Sequence, residues 1–319
     1  MRIGVDLGGT KIEVVALGEG GRELWRQRAA TPAGDYPGTL ARITELVGAA
    51  EAALERRGTV GIGIPGTISP ATGLIKNANS VCLIGHPLDK DLEKALERPI
   101  RLANDADCFT LSEATDGAAA GAMSVFGVIL GTGAGGGLVW RGQLIQGVNA
   151  VAGEWGHNPL PWPRQWEYAA GRLEDERPGP LCYCGRRGCI ETFLSGPALA
   201  RDHQLATGLA LAPNSIVAAA ATQPEAAGTM ERYYDRLARA LANVINIFDP
   251  AVIVLGGGLS KIEALYSEIP KRWNDWVFSD QVVTRLVPPK YGDASGVRGA
   301  AWLWPDAGPG SPPGFSSAA

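Results

Sequence analysis

Four potential metal ligands constrain most strongly how this chain can fold. They are His157, Cys182, Cys184 and Cys189, and the three cysteines stand in the spacing C-x-C-x4-C. One imidazole and three thiolates form the ligand set of a closed tetrahedral zinc site, in which no coordination position stays open for a substrate. The set therefore predicts a structural zinc rather than a catalytic one. The alternatives are a disulfide, which would leave one cysteine over, and three buried free thiols.

Two carboxylates flank the predicted ligands. Glu154 stands three residues before His157, and Glu191 stands two residues after Cys189. Zinc ligation would fix the backbone that carries both side chains. Because each carboxylate can accept hydrogen bonds from two hydroxyl groups, an anchored pair suits a polyhydroxylated ligand. A pair of solvated surface glutamates is the alternative.

The composition is that of an ordinary globular protein with room for two domains. Of the 319 residues, 45% are hydrophobic and 19% are charged, and the net charge is −4. A negative balance argues against a general nucleic-acid surface, which needs a basic patch. No apolar run approaches the length that spans a membrane, and no signal-peptide pattern is present. Clustered cysteines then favour a reducing cytoplasm, and we expect Cys82 and Cys108 to be small buried residues.

The first glycine-rich turn, Gly8–Lys11, lies between the strand-like segments Arg2–Leu7 and Ile12–Leu17. The tip of such a hairpin exposes backbone N–H groups that can hold phosphate oxygens. Asp6, at the end of the first strand, is placed to hold Mg²⁺ through water, and Lys11 adds positive charge. The segment is not a Walker A loop, and an ordinary hairpin is the alternative.

A second glycine-rich turn, Gly131–Gly137, follows the predicted strand Ser124–Leu130. It contains G-x-G-x-x-G, but Leu138–Leu144 reads as a strand where a dinucleotide site needs a helix. We interpret it as a second hairpin of the same kind, and the repetition predicts duplicated lobes around one nucleotide. A third run, Gly256–Gly258, ends the buried strand Ala251–Leu255. It could let a flat base approach the backbone, and a tight strand-to-helix turn is the alternative.

Asn104 and Asp105 are the best candidates for chemistry. They follow a predicted strand over 100–103 and precede a predicted helix over 106–115. Ligands of open α/β sheets bind beyond the carboxyl ends of strands, and an aspartate there can accept the proton of an attacking hydroxyl. The alternative is a helix N-cap, for which Asn and Asp are favoured.

The remaining periodicity is mainly helical. Helices are predicted over 40–54, 88–97, 233–248 and 293–304. Residues 68–87 are expected to form a long loop. The small-residue segment 117–122 is a plausible crossing between domains.

In this order the motifs resemble those of the ROK family, which holds sugar kinases and sugar-responsive repressors. The resemblance runs from Met1 to about Trp304. It rests on the two glycine hairpins, Pro65–Thr67, Asn104–Asp105, the histidine–cysteine stretch and Gly256–Gly258. Four segments are most similar to the fructokinase branch of the family, namely Val60–Ser80, Gly153–Trp162, Cys182–Gly196 and Gly292–Pro305.

The resemblance implies a two-lobed actin/hexokinase-like (ribonuclease H-like) α/β ATPase fold with a zinc-binding insertion in the second lobe. The first lobe would comprise 1–117 together with the C-terminal helix 293–304, and the second lobe would comprise 118–292. Residues 305–319, rich in Pro, Gly and Ser, would be a disordered tail. The resemblance also implies a cytoplasmic homodimer without nucleic-acid or membrane partners.

The implied reaction is transfer of the γ-phosphoryl group of ATP, with Mg²⁺, to the 6-hydroxyl of fructose, with Asp105 as the base. Mannose or glucose would be weaker acceptors, and acetylhexosamines poor ones. The implied sugar ligands are Gly66, Thr67, Asn79, Asn104, Asp105, Glu154, His157 and Glu191. The implied ATP-binding residues are Gly4, Val5, Asp6, Leu7, Gly8, Gly9, Thr10, Lys11, Gly131, Thr132, Gly133, Ala134, Gly135, Gly136, Gly137, Leu138, Gly256, Gly257 and Gly258.

Other members of the family are the alternatives. The shared motifs do not separate fructose from glucose, N-acetylglucosamine or N-acetylmannosamine kinases. A repressor is less expected, because repressors carry a helix-turn-helix before the first hairpin, which here begins at Met1. A zinc-finger binding module is disfavoured by the acidic balance. Cys82 departs from the fructokinase pattern, in which Trp commonly follows Asn-Ser, and so small a residue could open the sugar pocket.

Overall fold

A computed structural model of the chain describes residues 1–78, 80–168 and 173–305, except for the side chain at 173. The predicted sugar ligand Asn79 and the predicted tail from 306 onward lie outside the described residues. Contacts divide the chain into two compact units. Unit 1 is Met1–Cys108 with the segment from Gly296, and unit 2 is Phe109–Ser295. The divisions thus fall after 108 and 295, whereas the sequence placed them after 117 and 292.

Unit 1 is built on a mixed sheet. Its strands are β1 (Arg2–Leu7), β2 (Lys11–Leu17), β3 (Glu23–Ala30), β4 (Thr59–Ile64), β5 (Thr67–Ile68), β6 (Ile75–Lys76) and β7 (Ile100–Asn104). Five of them form one sheet in the order β3-β2-β1-β4-β7. The pairs β3-β2 and β2-β1 are antiparallel, whereas β1-β4 and β4-β7 are parallel. The carboxyl ends of β1, β4 and β7 therefore meet at one edge.

Helices cover this sheet. They are α1 (Tyr36–Leu54), α2 (Leu88–Leu96) and, from the end of the chain, the helix Ser295–Trp302. A Cβ on Gly4 would lie 2.0 Å from the carbonyl oxygen of Val297, and one on Gly61 would lie 1.9 Å from that of Ala300. Glycine in β1 and β4 is thus what lets the C-terminal helix lie directly on the sheet.

The predicted loop 68–87 contains more structure than its sequence indicated. β5 and β6 pair as a small antiparallel hairpin, and Val81–Leu83 forms one turn of 3-10 helix. Neither strand is long enough for an alternating pattern to be read. The described residues of this segment are therefore an ordered part of unit 1.

Unit 2 repeats the strand arrangement of unit 1. Its strands are β8 (Ser124–Leu130), β9 (Ala134–Trp140), β10 (Gln143–Leu144), β11 (Gln165–Glu167), β12 (Leu173–Asp175), β13 (Val252–Gly256) and β14 (Arg285–Val287). The main sheet has the order β10-β9-β8-β13-β14, again with two antiparallel pairs followed by two parallel ones. The predicted strand 138–144 is interrupted by a turn at Arg141 and Gly142, both with positive φ.

In unit 2 the helices that follow the cysteine segment pack around α7. The remaining described helices begin with α3 (Asp105–Thr115), which crosses the unit boundary, and continue with α4 (Glu191–Leu194), α5 (Gly196–Thr207), α6 (Pro213–Ala219), α7 (Pro224–Phe248) and α8 (Leu265–Arg272); the C-terminal helix Ser295–Trp302 is α9. α7 begins nine residues before the predicted start at 233. Among the described helices, none has both the length and the apolar composition needed to cross a membrane.

A buried ionic network ties the β11–β12 hairpin to α7. The Glu176 carboxylate accepts hydrogen bonds from Arg236 Nε at 2.8 Å, Arg239 Nη2 at 2.9 Å and Trp166 Nε1 at 2.7 Å. Asp202 pairs with the other side of the Arg236 guanidinium at 2.7 Å. Although burial alone would raise the pKa of Glu176, Arg239 and Arg236 hold it below its usual value. The network therefore stays ionised inside unit 2.

We expect Glu176→Gln to lower the free energy of unfolding by about 3–5 kcal/mol, because removal of one partner leaves buried guanidinium charge uncompensated. Urea unfolding measures this change. Glu167→Gln is the matched control, since Glu167 is an exposed residue of the same hairpin, and its effect should stay within about 0.5 kcal/mol. Equal effects of the two substitutions would show that the network contributes nothing.

Candidate active site

The carboxyl edge of the unit 1 sheet gathers the predicted chemical residues. Asn104 ends β7, and its amide nitrogen donates to the carbonyl oxygen of Gly66 at 3.3 Å. Asp105 opens α3, and its Oδ1 accepts from the backbone N–H of Ala106 at 2.8 Å. Asn104 Oδ1 also accepts from the Ala106 N–H, at 2.9 Å, so the helix cap predicted as an alternative is present, yet the Asp105 side chain is exposed. A ligand hydroxyl can reach it.

Asp6 lies at the same edge, at the end of β1. Burial, together with the charges of Asp105 and Glu13 and against the opposing effect of Lys11 and Arg28, raises its pKa to about 6. A half-buried carboxylate under net negative potential suits a cation, and carboxylate oxygen is a ligand type that Mg²⁺ accepts. The donor chemistry at Asp6 therefore fits the predicted Mg²⁺.

The first glycine turn presents its tip to solvent. The Gly8 N–H donates to the carbonyl oxygen of Lys11 at 2.9 Å, which closes the turn, and Gly9, Thr10 and Lys11 are exposed. Among the other predicted ATP ligands, Gly4, Val5 and Leu7 are buried in β1. They support the turn from inside the sheet rather than line it.

Gly66 holds the chain after β4 in a conformation that only glycine adopts readily. Its φ is +149°, and a Cβ there would lie 2.9 Å from the Ala78 Cβ. Gly66 thereby brings the segment before residue 79 close to Asn104. Thr67, the next predicted sugar ligand, is half-buried in β5.

In unit 2, Glu191 lies on the second glycine turn. Its Oε2 accepts from the backbone N–H of Ala134 at 3.1 Å. A Cβ on Gly133 would approach the same oxygen to 2.4 Å, and Gly196 N–H donates to the carbonyl oxygen of Gly131 at 2.8 Å. The turn and the segment after the last cysteine therefore form one structure.

The segment Gly153–His157 packs backbone to backbone on β9. A Cβ on Gly153 would lie 2.3 Å from the carbonyl oxygen of Gly136, and one on Gly156 would lie 1.9 Å from that of Ala134. Between them, Trp155 Nε1 donates to the carbonyl oxygen of Gly135 at 2.9 Å. This packing fixes a 3-10 turn that leaves Glu154 exposed.

The four predicted metal ligands come together in unit 2. The ligand atoms of His157, Cys182, Cys184 and Cys189 all lie within 4.8 Å of one another. The Cys184–Cys189 Sγ distance is 3.6 Å, and so is the distance from Cys182 Sγ to His157 Nδ1. Zinc–ligand bonds of 2.0–2.3 Å give a tetrahedron with edges of about 3.5–3.8 Å. Hydrogen bonds, the largest of them from the backbone N–H of Arg186, lower the pKa of Cys184 to about 6, whereas burial raises the pKa values of Cys182 and Cys189.

Tyr183 is a site residue that the sequence reasoning missed. Its hydroxyl lies 2.9 Å from His157 Nε2, while His157 Nδ1 faces the thiols. Partial burial and the charges of Glu191 and Glu154 together raise the pKa of Tyr183 to about 12. Tyr183 therefore belongs to the same cluster as both carboxylates. The C-x-C spacing gave no signal of this role, because it concerns only the two cysteines.

The sequence profile of the ROK family matches residues 2–307. The chain belongs to the ROK family. Its relatives include an N-acetyl-D-glucosamine kinase from Yersinia pseudotuberculosis, 40% identical over 304 residues, with 95% of this chain and 98% of that protein covered. A kinase with the same name from Photobacterium profundum is 41% identical over 304 residues, with 95% and 99% covered.

Solved structures of ROK proteins share the fold. A ROK hexokinase from Thermus thermophilus matches with a TM-score of 0.81 and 30% identity, covering 94% of this chain and 96% of that one. A ROK glucokinase from Streptomyces griseus, solved with glucose and AMPPNP, matches with a TM-score of 0.74 and 29% identity, covering 95% and 98%. The predicted ROK sugar kinase fold is confirmed.

The same comparisons do not support the fructokinase branch for this ROK protein. The N-acetyl-D-glucosamine kinases agree instead with one of the alternatives that the motifs left open. The four segments that resemble fructokinases contain motifs that the whole ROK family shares. Similarity at such motifs separates the branches poorly.

The third glycine run has a packing role at two of its three positions. A Cβ on Gly256 would meet the Phe109 ring at 2.5 Å, and one on Gly257, where φ is +79°, would meet the carbonyl oxygen of Leu130 at 2.4 Å. A Cβ on Gly258 would have no neighbour within 4 Å among the described residues. The tight turn therefore explains Gly256 and Gly257, and only Gly258 has open space for a base.

Proposed function

We propose that this ROK family sugar kinase transfers the γ-phosphoryl group of ATP to the 6-hydroxyl of N-acetyl-D-glucosamine. The observation that carries the proposal is identity of 40–41% with N-acetyl-D-glucosamine kinases over 95% of the chain. Fructose, the acceptor expected first, has no comparable support. Glucose and N-acetylmannosamine are the nearest competing acceptors.

Asp105 is proposed as the base. Its exposed carboxylate accepts the proton of the 6-hydroxyl, the hydroxyl oxygen bonds to the γ-phosphorus, and the bond from that phosphorus to the β,γ-bridging oxygen breaks, releasing ADP. Phosphoryl transfer depends mainly on positioning and charge stabilisation. Asn104 anchors this end of β7 through its bond to Gly66, which keeps Asp105 in place.

The phosphates are proposed to bind the two glycine turns. The N–H groups of Gly8, Gly131 and Ala134 already donate inside the protein. The exposed tips of the turns, at Gly9 and Thr10 and at Thr132, present other backbone N–H groups that can donate to phosphate oxygens without adding side-chain charge. Asp6 would hold Mg²⁺, which offsets phosphate charge when bound. Lys11, exposed at the tip of the first turn, adds a positive charge there.

The sugar hydroxyls are proposed to bind Glu154, His157 and Glu191 in unit 2, and Asn104 in unit 1. Glu154 is exposed and is held by the turn that packs on β9. His157 offers Nε2, which Tyr183 currently contacts. Because the Tyr183 side chain is 78% exposed, it can share or release that contact when a hydroxyl arrives.

A structural zinc is proposed at His157, Cys182, Cys184 and Cys189. The set fills a tetrahedron and leaves no position for substrate. Its contribution is to fix the loop that carries Tyr183 and precedes Glu191. A homodimer and a cytoplasmic location stay predictions from the family resemblance.

The acceptor is tested by measuring kcat/KM for N-acetylglucosamine, N-acetylmannosamine, glucose and fructose at one saturating ATP concentration. We expect N-acetylglucosamine to exceed fructose by at least about tenfold, because a site built for an amide leaves polar groups unpaired when the amide is absent. A preference for fructose would restore the first expectation. If the enzyme phosphorylates none of the four sugars, the proposal that its acceptor is a hexose or an acetylhexosamine is contradicted.

Asp105→Asn should lower kcat by at least about 10²-fold, since the substituted amide cannot accept the proton. Sugar binding, measured by calorimetry with AMPPNP present, should change little because the amide keeps the shape of the carboxylate. Asp275→Asn, at an exposed residue of unit 2, is the control for the same chemical change. Near wild-type turnover of Asp105→Asn would remove Asp105 from the role of base.

Purified protein should contain about one zinc per chain by elemental analysis, and Cys184→Ser should lose most of it because a neutral hydroxyl is a poor zinc ligand. Cys82→Ser is the matched control, since Cys82 lies in unit 1, and it should keep the full metal content. Fully active protein without metal after exhaustive chelation would refute the structural zinc.

A further inference from the structure

Unit 1 contains a cavity of about 250 Å³ beside the first glycine turn. Leu7, Thr39 and Leu83, each 1% exposed, contribute to its wall from inside the unit. Exposed Gly9 and Val81 lie at its rim. The residues that line it are all uncharged, and they include Leu7 and Gly9 from the first phosphate turn and the strand before it. The proposed base Asp105 does not line it.

The cavity offers one uncommitted hydrogen-bonding group among its hydroxyls. Thr31 donates to the carbonyl oxygen of Gly8 at 2.8 Å, and Thr39 donates to that of Asp35 at 2.8 Å. The Ser80 hydroxyl also lines the cavity, and it has no hydrogen-bond partner within the described part of the chain. Such a cavity suits a small neutral amide. Its alkyl group can pack against the apolar walls, and its carbonyl oxygen can accept a hydrogen bond from the Ser80 hydroxyl.

The cavity lies within reach of a sugar held at Asp105. β1, which leads into the cavity, and β7, which leads to Asp105, are both neighbours of β4. Two interstrand spacings place their ends about 10 Å apart. Asn104 donates to Gly66, and Gly66 packs against Ala78. Ser80 follows Ala78 by two residues, so the Cα atoms of Ala78 and Ser80 lie within about 7 Å of each other.

Cys82 also lines the cavity and is half-buried. It packs against the core of unit 1 but is not fully buried, so the expectation of a small buried residue was wrong for Cys82. A thiol is small, and an indole at the same position would occupy much of the space. The side chain at 82 thus sets how large a group the cavity can take.

We propose that this cavity receives the 2-acetamido group of the acceptor sugar, with Cys82 leaving room for it and Ser80 donating to its carbonyl oxygen. In a pyranose ring C2 lies across from C5, which carries the 6-hydroxymethyl group. A substituent on C2 therefore points away from Asp105 when the 6-hydroxyl is beside it. The methyl group packs against Leu7 and Leu83. The inference rests on the proposed acceptor.

The decisive variant is Cys82→Trp, with Ile84→Trp as its matched control. Ile84 belongs to the same segment, is 46% exposed and does not line the cavity. Cys82→Trp should lower kcat/KM for N-acetylglucosamine by at least about tenfold and leave that for glucose within about threefold. Ile84→Trp should change neither. Ser80→Ala should lower only the value for N-acetylglucosamine, by about five- to a hundredfold, through the lost hydrogen bond.

A second measurement uses the unmodified enzyme and does not depend on any variant folding. Glucosamine acylated with propanoyl or butanoyl groups should remain a substrate, with kcat/KM within about tenfold of the acetyl compound, because the cavity has room for added methylenes. Glucosamine itself should be poor, since its ammonium group would enter an uncharged cavity. Cys82→Leu should shorten the longest acyl chain that is accepted.

The outcomes separate this inference from the proposed function. If the enzyme prefers sugars without an acetamido group, both fail. If it prefers N-acetylglucosamine but Cys82→Trp lowers the values for both sugars equally, or for neither, the acceptor stands and the cavity assignment is overturned. Rejection of every acyl group longer than acetyl, together with no effect of Ser80→Ala, would also overturn it.

Discussion

The position of the carboxylate pair in unit 2 depends on contact between two pieces of backbone. Gly153 and Gly156 lie against carbonyl oxygens of β9 so closely that any Cβ would collide with them. Such packing leaves the intervening 3-10 turn little freedom, because interiors at this density transmit displacement rather than absorb it. Glu154 is exposed yet fixed as a result. Since the preceding turn also contacts Glu191 through Ala134, one hairpin positions both acceptors.

The buried ionic network on α7 also stabilises the region around the predicted metal ligands, through the chain segments that lie between His157 and the cysteines. Arg239 also donates to the carbonyl oxygens of Pro161 and Trp162, which follow the histidine, while Glu176 precedes the cysteines. A buried ion pair need not exceed a hydrophobic contact in stability, and its best-attested use is to specify one arrangement over others. Here the arrangement specified is that of the two chain segments that enter and leave the metal-ligand cluster.

Much of the architecture follows from local sequence, and the failures have identifiable causes. Apolar runs that end in glycine predicted the principal strands, and the repeated hairpins predicted the repeated sheet order, because both depend on residues close in sequence. Arg236 and Glu176 read as ordinary charged residues, since only the fold brings them together. The cavity beside Cys82 was unpredictable for the same reason, because its wall comes from three separate segments. Tyr183 escaped because C-x-C spacing says nothing about the residue between the ligands.

Several alternatives weighed from the sequence prove compatible with one another. Asn104 and Asp105 cap α3 through bonds to Ala106, and this capping is what would hold a catalytic carboxylate still at the sheet edge. Gly256 and Gly257 serve packing, while Gly258 faces open space. Packing and ligand binding can thus fall on adjacent residues, as at Gly257 and Gly258. Helix capping and proton transfer can likewise fall on the two oxygens of one carboxylate, as at Asp105. On the proposed function, phosphate binding through backbone N–H groups would place little demand on side chains. Discrimination among sugars would then fall on the few side chains, such as Cys82 and Ser80, that shape the space around the acceptor.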